Sequence, residues 1–159
     1  MNSYKAATSK LNNNSLKIGS EIVSIKDALN RISSKEVIAK SDYPADDNTA
    51  FDGFAVNSKE TKNTYQKFKI LKTIAAGDNP YIKKVPKLSC IEVMTGAIIN
   101  KPFDTILPYE KSEIIRNKKN NYLIIGKKIT KFNNLRFKGS DYKKGQLILK
   151  KGELIKPSN

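Results

Sequence analysis

Short apolar runs separated by turn-forming residues dominate the chain after residue 35. Eight segments have the length and apolar content of short β-strands: Glu36–Ala39, Gly53–Val56, Lys67–Ile74, Cys90–Met94, Asp104–Leu107, Lys111–Arg116, Tyr122–Lys128 and Gln146–Leu149. Residues 117–121 (Asn-Lys-Lys-Asn-Asn) separate two of these runs. They predict a hairpin, because Asn tolerates the positive φ that a tight reversal requires.

One helix is predicted before the strands. Ser24 and Asp27 stand three residues apart, close to a capping box, and mark its start. Four apolar side chains at helical spacing give it one apolar face for about three turns: Ile22, Ile25, Leu29 and Ile32. Residues 1–18 show no convincing period and are expected to be frayed. The pattern therefore predicts an α+β, β-rich fold.

The composition excludes several classes of catalytic and metal-binding site. The chain contains no His and a single Cys, Cys90, inside an apolar stretch. Ser–His catalysis, His-ligated metals and disulfides are excluded, and Cys90 is expected to be a buried, inert thiol. No apolar run approaches the roughly 20 residues of a membrane span, and residues 1–20 lack the apolar core of a signal peptide. We therefore expect a cytoplasmic protein without membrane contact.

The formal charge of +15 raises the question of a polyanionic partner. The cations are almost all Lys, with only Arg31, Arg116 and Arg136, whereas base and phosphate recognition usually favours the forked guanidinium. The accompanying wealth of Asn and Ile favours a general drift in composition. Without a nucleic-acid motif or interleaved aromatics, the sequence argues against a nucleic-acid partner.

Four segments carry more chemistry than a plain β-fold needs. Asp52 precedes Gly53, which allows close backbone approach, while Asp46 and Asp47 read as turn residues. Thr95-Gly96 follows an apolar strand and could offer N–H groups to an anion. Glu110 follows another strand, where an edge charge is the simpler interpretation. Residues 134–145 combine Arg136, Lys138 and Asp141 with two glycines, as in a phosphate cradle or a lysine-flanked turn.

In order and spacing, these segments resemble the molybdopterin molybdenumtransferase family, the MoeA and gephyrin E-domain proteins. Residues 44–56, Pro-Ala-Asp-Asp-Asn-Thr-Ala-Phe-Asp-Gly-Phe-Ala-Val, are similar to the family element P-x-x-D-N-S-A-M-D-G-Y-A-V. Four further stretches follow the family pattern: Ala28–Ile32, Ile91–Ala97, Asp104–Glu110 and Asn134–Asp141. Phe51 and Phe54 replace the usual Met and Tyr, and the family helix before Glu21 is expected to be barely present.

The resemblance implies a split architecture. Residues 19–40 and 134–159 would form an elongated linker domain around an inserted β-rich domain at 41–133, and nothing in these 159 residues is expected to correspond to the family's C-terminal molybdopterin-binding domain. It also implies insertion of molybdate into adenylylated molybdopterin with Mg²⁺ and release of AMP. Family members are homodimers, with the active-site cleft between the inserted domain of one subunit and the C-terminal domain of the other. A separately encoded C-terminal domain is an alternative partner.

By motif position, the resemblance implies Asp52 and Asp141 as catalytic residues and as Mg²⁺ ligands. Thr95, Gly96, Arg136 and Lys138 would then bind the anionic substrate. Two other functions stay open at this point. One is a non-catalytic dimerisation or assembly module of molybdenum cofactor synthesis, and the other is a charge-driven polyanion-binding protein.

Overall fold

A computed structural model describes residues 3–14 and 18–158. Within these ranges the chain forms one α-helix, α1 (Tyr4–Asn13), and ten strands. The strands are β1 (Val37–Ile38), β2 (Asn48–Thr49), β3 (Gly53–Val56), β4 (Gln66–Ile74), β5 (Ser89–Val93), β6 (Thr105–Pro108), β7 (Glu113–Arg116), β8 (Asn121–Ile125), β9 (Leu135–Arg136) and β10 (Leu147–Leu149). The β-rich α+β prediction is confirmed. No helix in the described ranges is long and apolar enough to cross a membrane.

The chain divides into two compact units. The first combines Met1–Val37 with Leu147–Asn159, and the second is Ile38–Gln146. The bounds of these units differ from those of the expected linker domain (19–40 and 134–159) and inserted domain (41–133), and that domain assignment stays a prediction. Residues 134–146 belong to the second unit because β9 pairs with β2 and Tyr142 bridges Tyr43.

The second unit is built on a six-stranded mixed sheet in the order β6-β3-β5-β4-β8-β7. Only β4 and β5 run parallel, and β7 and β8 form the hairpin predicted around residues 117–121. Successive residues of β3 enter different core clusters: Phe54 and Val56 pack in one, Ala55 in the other. Since side chains alternate along a strand, the sheet is buried on both faces at β3, and β5 and β6 beside it are buried throughout as well. Cys90 lies fully inside the first cluster, as expected.

The prediction of a helix of about three turns around Ile25 is wrong. The structure has only a 3₁₀ turn at Ile25–Asp27, and Ile22 is fully exposed. The main chain of the following residues pairs with the C-terminal segment instead: Asn30 N–H donates to Ile155 O at 3.0 Å and Ser33 N–H to Glu153 O at 2.9 Å. These bonds replace the i→i−4 ladder that a helix would need.

The N-terminal segment also differs from the prediction. Residues 4–13 form α1. The prediction for this segment was a frayed chain in which the family helix is barely present. Ser3 caps this helix by accepting a hydrogen bond from Ala6 N–H at 3.3 Å. No described residue of α1 is buried, so the helix lacks the apolar period that would have revealed it. Residues 1–2 and 15–17 of the predicted frayed segment lie outside the described residues.

Candidate functional site

Asp52 and Thr95 are in contact where β3 begins and β5 ends, at two interior strands of the six-stranded sheet. Asp52 directly precedes β3, and Thr95 follows β5, the antiparallel neighbour of β3. The Asp52 Oδ1 atom accepts hydrogen bonds from Thr95 N–H at 2.6 Å and from Thr95 Oγ1 at 2.8 Å. Among the described residues, none donates to Asp52 Oδ2. One carboxylate oxygen is therefore fixed by the protein and the other is left for solvent or a ligand.

These bonds also set the charge of Asp52. The backbone N–H and then the hydroxyl of Thr95 stabilise the carboxylate and lower the pKa of Asp52 below its ordinary value, against a smaller opposing effect of burial. Asp52 is exposed and is an anion throughout the neutral range.

Gly53 explains why this strand starts so close to its neighbour. A Cβ at this position would lie 2.2 Å from the carbonyl oxygen of Leu107 in β6 and 2.8 Å from Pro108 Cα. The close approach that the sequence suggested therefore involves the adjoining strand, not a ligand. Because β6 passes this closely, Asp52 carbonyl can accept a hydrogen bond from Tyr109 N–H at 3.2 Å.

The Thr95–Gly96 turn is fully bonded within the protein. Thr95 N–H donates to Asp52, and Gly96 N–H donates to Thr49 O at 2.9 Å. Gly96 has φ of 85°, a conformation that glycine adopts without strain. The two N–H groups considered as anion donors thus have acceptors already, and the turn's role is to hold Asp52 and to connect β5 with β2.

Arg136 and Asp141 form the second half of the site. Arg136 lies in β9 opposite Asn48, and its Nη2 donates to Asp141 Oδ2 at 2.5 Å. The guanidinium carbon lies 5.7 Å from the centroid of the Tyr43 ring, a cation–π distance. A guanidinium has five N–H donors, so the Arg136–Asp141 pair leaves several for an oxyanion.

Two aspartates of the 42–47 segment hold the loop that carries Lys138. Asp47 Oδ1 accepts from Lys138 N–H and Asp42 Oδ1 from Lys144 N–H, both at 2.8 Å. Lys138 Nζ is 3.9 Å from Asp42 Oδ2, a long ion pair at a half-exposed position. Asp47 was interpreted as a turn residue, but it ties two segments about ninety positions apart. Lys138 lies at this junction and is absent from the lining of the nearby cavity that contains Thr95 and Arg136.

A cavity of about 500 Å³ unites the two halves. It is lined by backbone and side chains of the 43–50 segment together with Thr95, Gly96 and Arg136. Asp52 and Asp141 do not line it, but each bonds a residue that does. The structure therefore brings five of the six predicted site residues into or beside this cavity, from three separate stretches of the chain.

Sequence reasoning missed a buried polar group beside this site. Glu92 in β5 is 8% exposed and accepts from Thr73 Oγ1 at 2.6 Å, Tyr109 OH at 2.7 Å and Arg116 Nη2 at 3.0 Å. Burial raises the pKa of Glu92, yet these hydrogen bonds and the Arg116 charge outweigh it and lower the pKa overall. Burial, with Glu92 as its partner, raises the pKa of Tyr109. An acidic residue at an inward strand position was the only available signal.

The expected Mg²⁺ site has few ligands in this chain. No three His, Cys, Asp or Glu side chains within the described ranges come together as a metal-binding group. Asp141 is bonded to Arg136 and to Ser140 Oγ, and Asp52 uses one oxygen for Thr95. Since Mg²⁺ favours octahedral oxygen coordination, these two carboxylates do not by themselves fit the ion.

Comparison with known proteins identifies similar chains. The sequence matches the MoeA N-terminal region (domain I and II) over residues 2–159. It is 28% identical over 157 residues to the molybdopterin molybdenumtransferase of Staphylococcus aureus strain Mu50, covering 96% of this chain and 36% of that protein. It is 30% identical over 138 residues to the Haemophilus influenzae enzyme of that name, covering 86% and 33%.

The fold has solved counterparts. A crystal structure of the molybdopterin biosynthesis MoeA protein of Pyrococcus horikoshii matches with a TM-score of 0.76 at 25% identity, over 96% of this chain and 39% of that one. The chain spans roughly a third of the length of the relatives that it matches.

Proposed function

Because the chain belongs to the family of MoeA N-terminal regions, domains I and II, we propose that it supplies part of the active site of a molybdopterin molybdenumtransferase. The reaction is insertion of molybdate into adenylylated molybdopterin, with release of AMP. One observation carries the proposal: Thr95 and Arg136, from two separate motifs, line one cavity, and each is hydrogen-bonded to a motif carboxylate, Asp52 and Asp141 respectively.

Arg136 is the residue suited to bind an oxyanion. Its guanidinium lies beside the Tyr43 ring and is held from one side by Asp141. Its remaining N–H donors can form charge-assisted bonds to molybdate or phosphate oxygens. Asp141 therefore acts as a positioning residue, since it fixes the orientation of the group that would touch the substrate.

Asp52 is suited to hold a water molecule or a cation at the cavity edge. Thr95 fixes Oδ1 and keeps the carboxylate ionised, while Oδ2 receives no bond from the described residues. A fixed carboxylate with one free oxygen can accept a proton from water or contribute one ligand to a divalent ion. Magnesium stays a prediction, because no three acidic side chains come together as a metal-binding group within the described ranges.

The proposal also includes the partners. Several large apolar side chains of the first unit are exposed, among them Ile22, Ile25 and Ile32 at 102%, 85% and 61%. Exposed apolar groups in this number favour burial against another chain. We therefore propose a homodimer whose catalytic cleft is completed by a C-terminal molybdopterin-binding domain, acting in the cytoplasm.

The test uses this chain together with such a C-terminal domain, either fused or added in trans. Release of AMP from adenylylated molybdopterin is measured with and without molybdate. Asp52→Ala should lower the rate by about 100-fold or more, the scale of a lost proton-transfer or positioning group. Glu113→Ala, which removes an exposed carboxylate of the same unit, should leave the rate within about twofold.

Two outcomes contradict the proposal. Full activity of a correctly folded Asp52→Ala protein would remove Asp52 from the site. Absence of any molybdate-dependent AMP release with a competent C-terminal domain would favour the alternative of a non-catalytic assembly module.

A further inference from the structure

A second cavity, of about 750 Å³, lies in the second unit and shares no lining residue with the Arg136 cavity. Four of its eight lining residues are lysines: Lys59, Lys62, Lys128 and Lys131. Lys and Arg together make up 30 of the 159 residues, so roughly one or two cations among eight would reflect composition alone. This lysine cavity is enriched beyond the general basic character of the chain.

The lysines come from two segments that the fold holds together. Ile129 N–H donates to Thr61 Oγ1 at 2.9 Å, in a buried position, and Lys128 N–H donates to Asn63 Oδ1 at 2.8 Å. Residues 58–62 and 128–131 are thereby joined across a sequence separation of 65 or more positions. The cationic arrangement is built into the backbone contacts and needs no ligand to form.

The lysines of the cavity are exposed, and one of them, Lys131, has its Nζ 4.3 Å from the centroid of the Phe132 ring. Within the described ranges none of the four forms an ion pair with a carboxylate. The nearby acids are engaged with other groups: Asp104 accepts from Ser58 N–H and Oγ, and Glu60 accepts from Leu88 N–H. Four cations against these two carboxylates leave the cavity with a positive field.

We propose that the lysine cavity binds a compact multivalent phosphate chain, free or as part of a nucleotide. Lysine is a point charge that matches phosphate oxygens in many orientations. The remaining lining residues are Ile129 and three with hydroxyl groups, and no aromatic ring is among them. The neighbouring Phe132 ring already lies under Lys131 Nζ, so recognition falls on the phosphates and not on a base. This site is independent of the transferase reaction proposed above.

Calorimetric titration of the chain with sodium tripolyphosphate tests the proposal. Binding is expected at low salt and should weaken as salt rises from about 50 to 300 mM. Lys62→Gln/Lys128→Gln should weaken binding roughly tenfold, because two charges facing the anion are lost. Lys83→Gln/Lys84→Gln removes the same charge from exposed positions of the same unit and should change the affinity less than about twofold.

Further arms locate the site and identify the ligand. Lys62→Arg/Lys128→Arg keeps the charge and should retain binding, as should Arg136→Gln, which alters only the other cavity. ATP should bind about as well as tripolyphosphate. If the Gln double variant is unfolded, amide NMR shifts of residues 59–62 and 128–131 in the unaltered chain decide the question.

The proposal is overturned by equal weakening in both Gln double variants, which would mean diffuse charge attraction, or by absence of binding. It is also overturned if a single-stranded RNA oligonucleotide of matched phosphate concentration binds much more tightly through the same lysines. That result would assign the cavity to nucleic acid.

Discussion

At the scale of single residues, Thr95 has the most consequential contacts. Its N–H and its hydroxyl both serve Asp52, while the residue itself lines the 500 Å³ cavity. Because Thr95 both bonds Asp52 and lines the cavity, we expect a ligand that contacts Thr95 to change the environment of Asp52. The charge state of Asp52 can therefore be followed as a local measure of the site.

Replacing the Thr95 hydroxyl should move the titration of Asp52. In Thr95→Ala the side-chain bond is lost but the stronger backbone bond remains, so the pKa of Asp52 should rise and still stay below its ordinary value. Thr95→Ser keeps the hydroxyl and should behave like the original chain. Carboxyl ¹³C NMR over acidic pH measures both. An unchanged Asp52 pKa in Thr95→Ala would mean that the hydroxyl does not bond the carboxylate.

Glu92 should make stability depend on acid. Its folded-state pKa is lowered, so the stabilisation it gives is present above the unfolded-state pKa and is lost as pH falls through the folded value. Glu92→Gln should cost about 1–2 kcal/mol at pH 7, and less at low pH, because a charged acceptor of three hydrogen bonds becomes neutral. Urea unfolding at pH 7 and pH 3 measures this. Arg116→Ala, at a half-exposed partner, should cost under about 1 kcal/mol.

At the scale of elements, the sequence predicted eight of the ten strands of the described residues and missed β2 and β9. β3 was predicted at its observed bounds, and the other strands of the six-stranded sheet to within a few residues, because each is an apolar run that ends at turn residues. The two-residue strands β2 and β9 carry no such pattern. Their pairing, Asn48 with Arg136, depends on contacts about ninety positions apart, which periodicity cannot register.

Gly53 should be intolerant of any side chain. Gly53→Ala would place a methyl group 2.2 Å from Leu107 O, a clash with backbone that only a shift of β6 can relieve. A loss of roughly 2–4 kcal/mol is expected. Gly126→Ala is the matched control: its Cβ would meet nothing within 4 Å, so stability should change by less than about 1 kcal/mol. Thermal unfolding of both variants tests the difference, and equal melting temperatures would contradict it.

At the scale of the whole molecule, the candidate site was partly predictable. The residues Asp52, Thr95, Arg136 and Asp141 followed from motif positions, because motifs preserve which residues are present. Their pairing as Asp52–Thr95 and Arg136–Asp141 could not be predicted, because these contacts depend on how β2, β5 and β9 meet. For the same reason, the sequence could not show that Lys138 lies outside the cavity. The burial of Glu92 could not be predicted either, because it depends on how the strands of the sheet pair.

The apolar exposure of the first unit predicts self-association. Light scattering after size-exclusion chromatography should give about twice the monomer mass of 17.8 kDa. Ile22→Lys/Ile25→Lys should shift the chain towards monomer, because it places charge on side chains that we expect to be covered. Lys83→Glu, on the second unit, is the surface control and should leave the mass unchanged. A monomer at tens of micromolar would refute the proposed homodimer.

The second unit begins and ends at almost the same point. Ala39 N–H donates to Gln146 O, and Gly145 N–H donates to Ala39 O, both at 2.9 Å. Its two ends are therefore adjacent, as in domains that have been inserted into a host chain. A gene segment for residues 38–146 could accordingly be circularised through a very short linker, or moved into a surface loop of another scaffold, without stretching the backbone. The adjacent ends would therefore let the second unit, with the Arg136 cavity, be transferred to another protein as one segment.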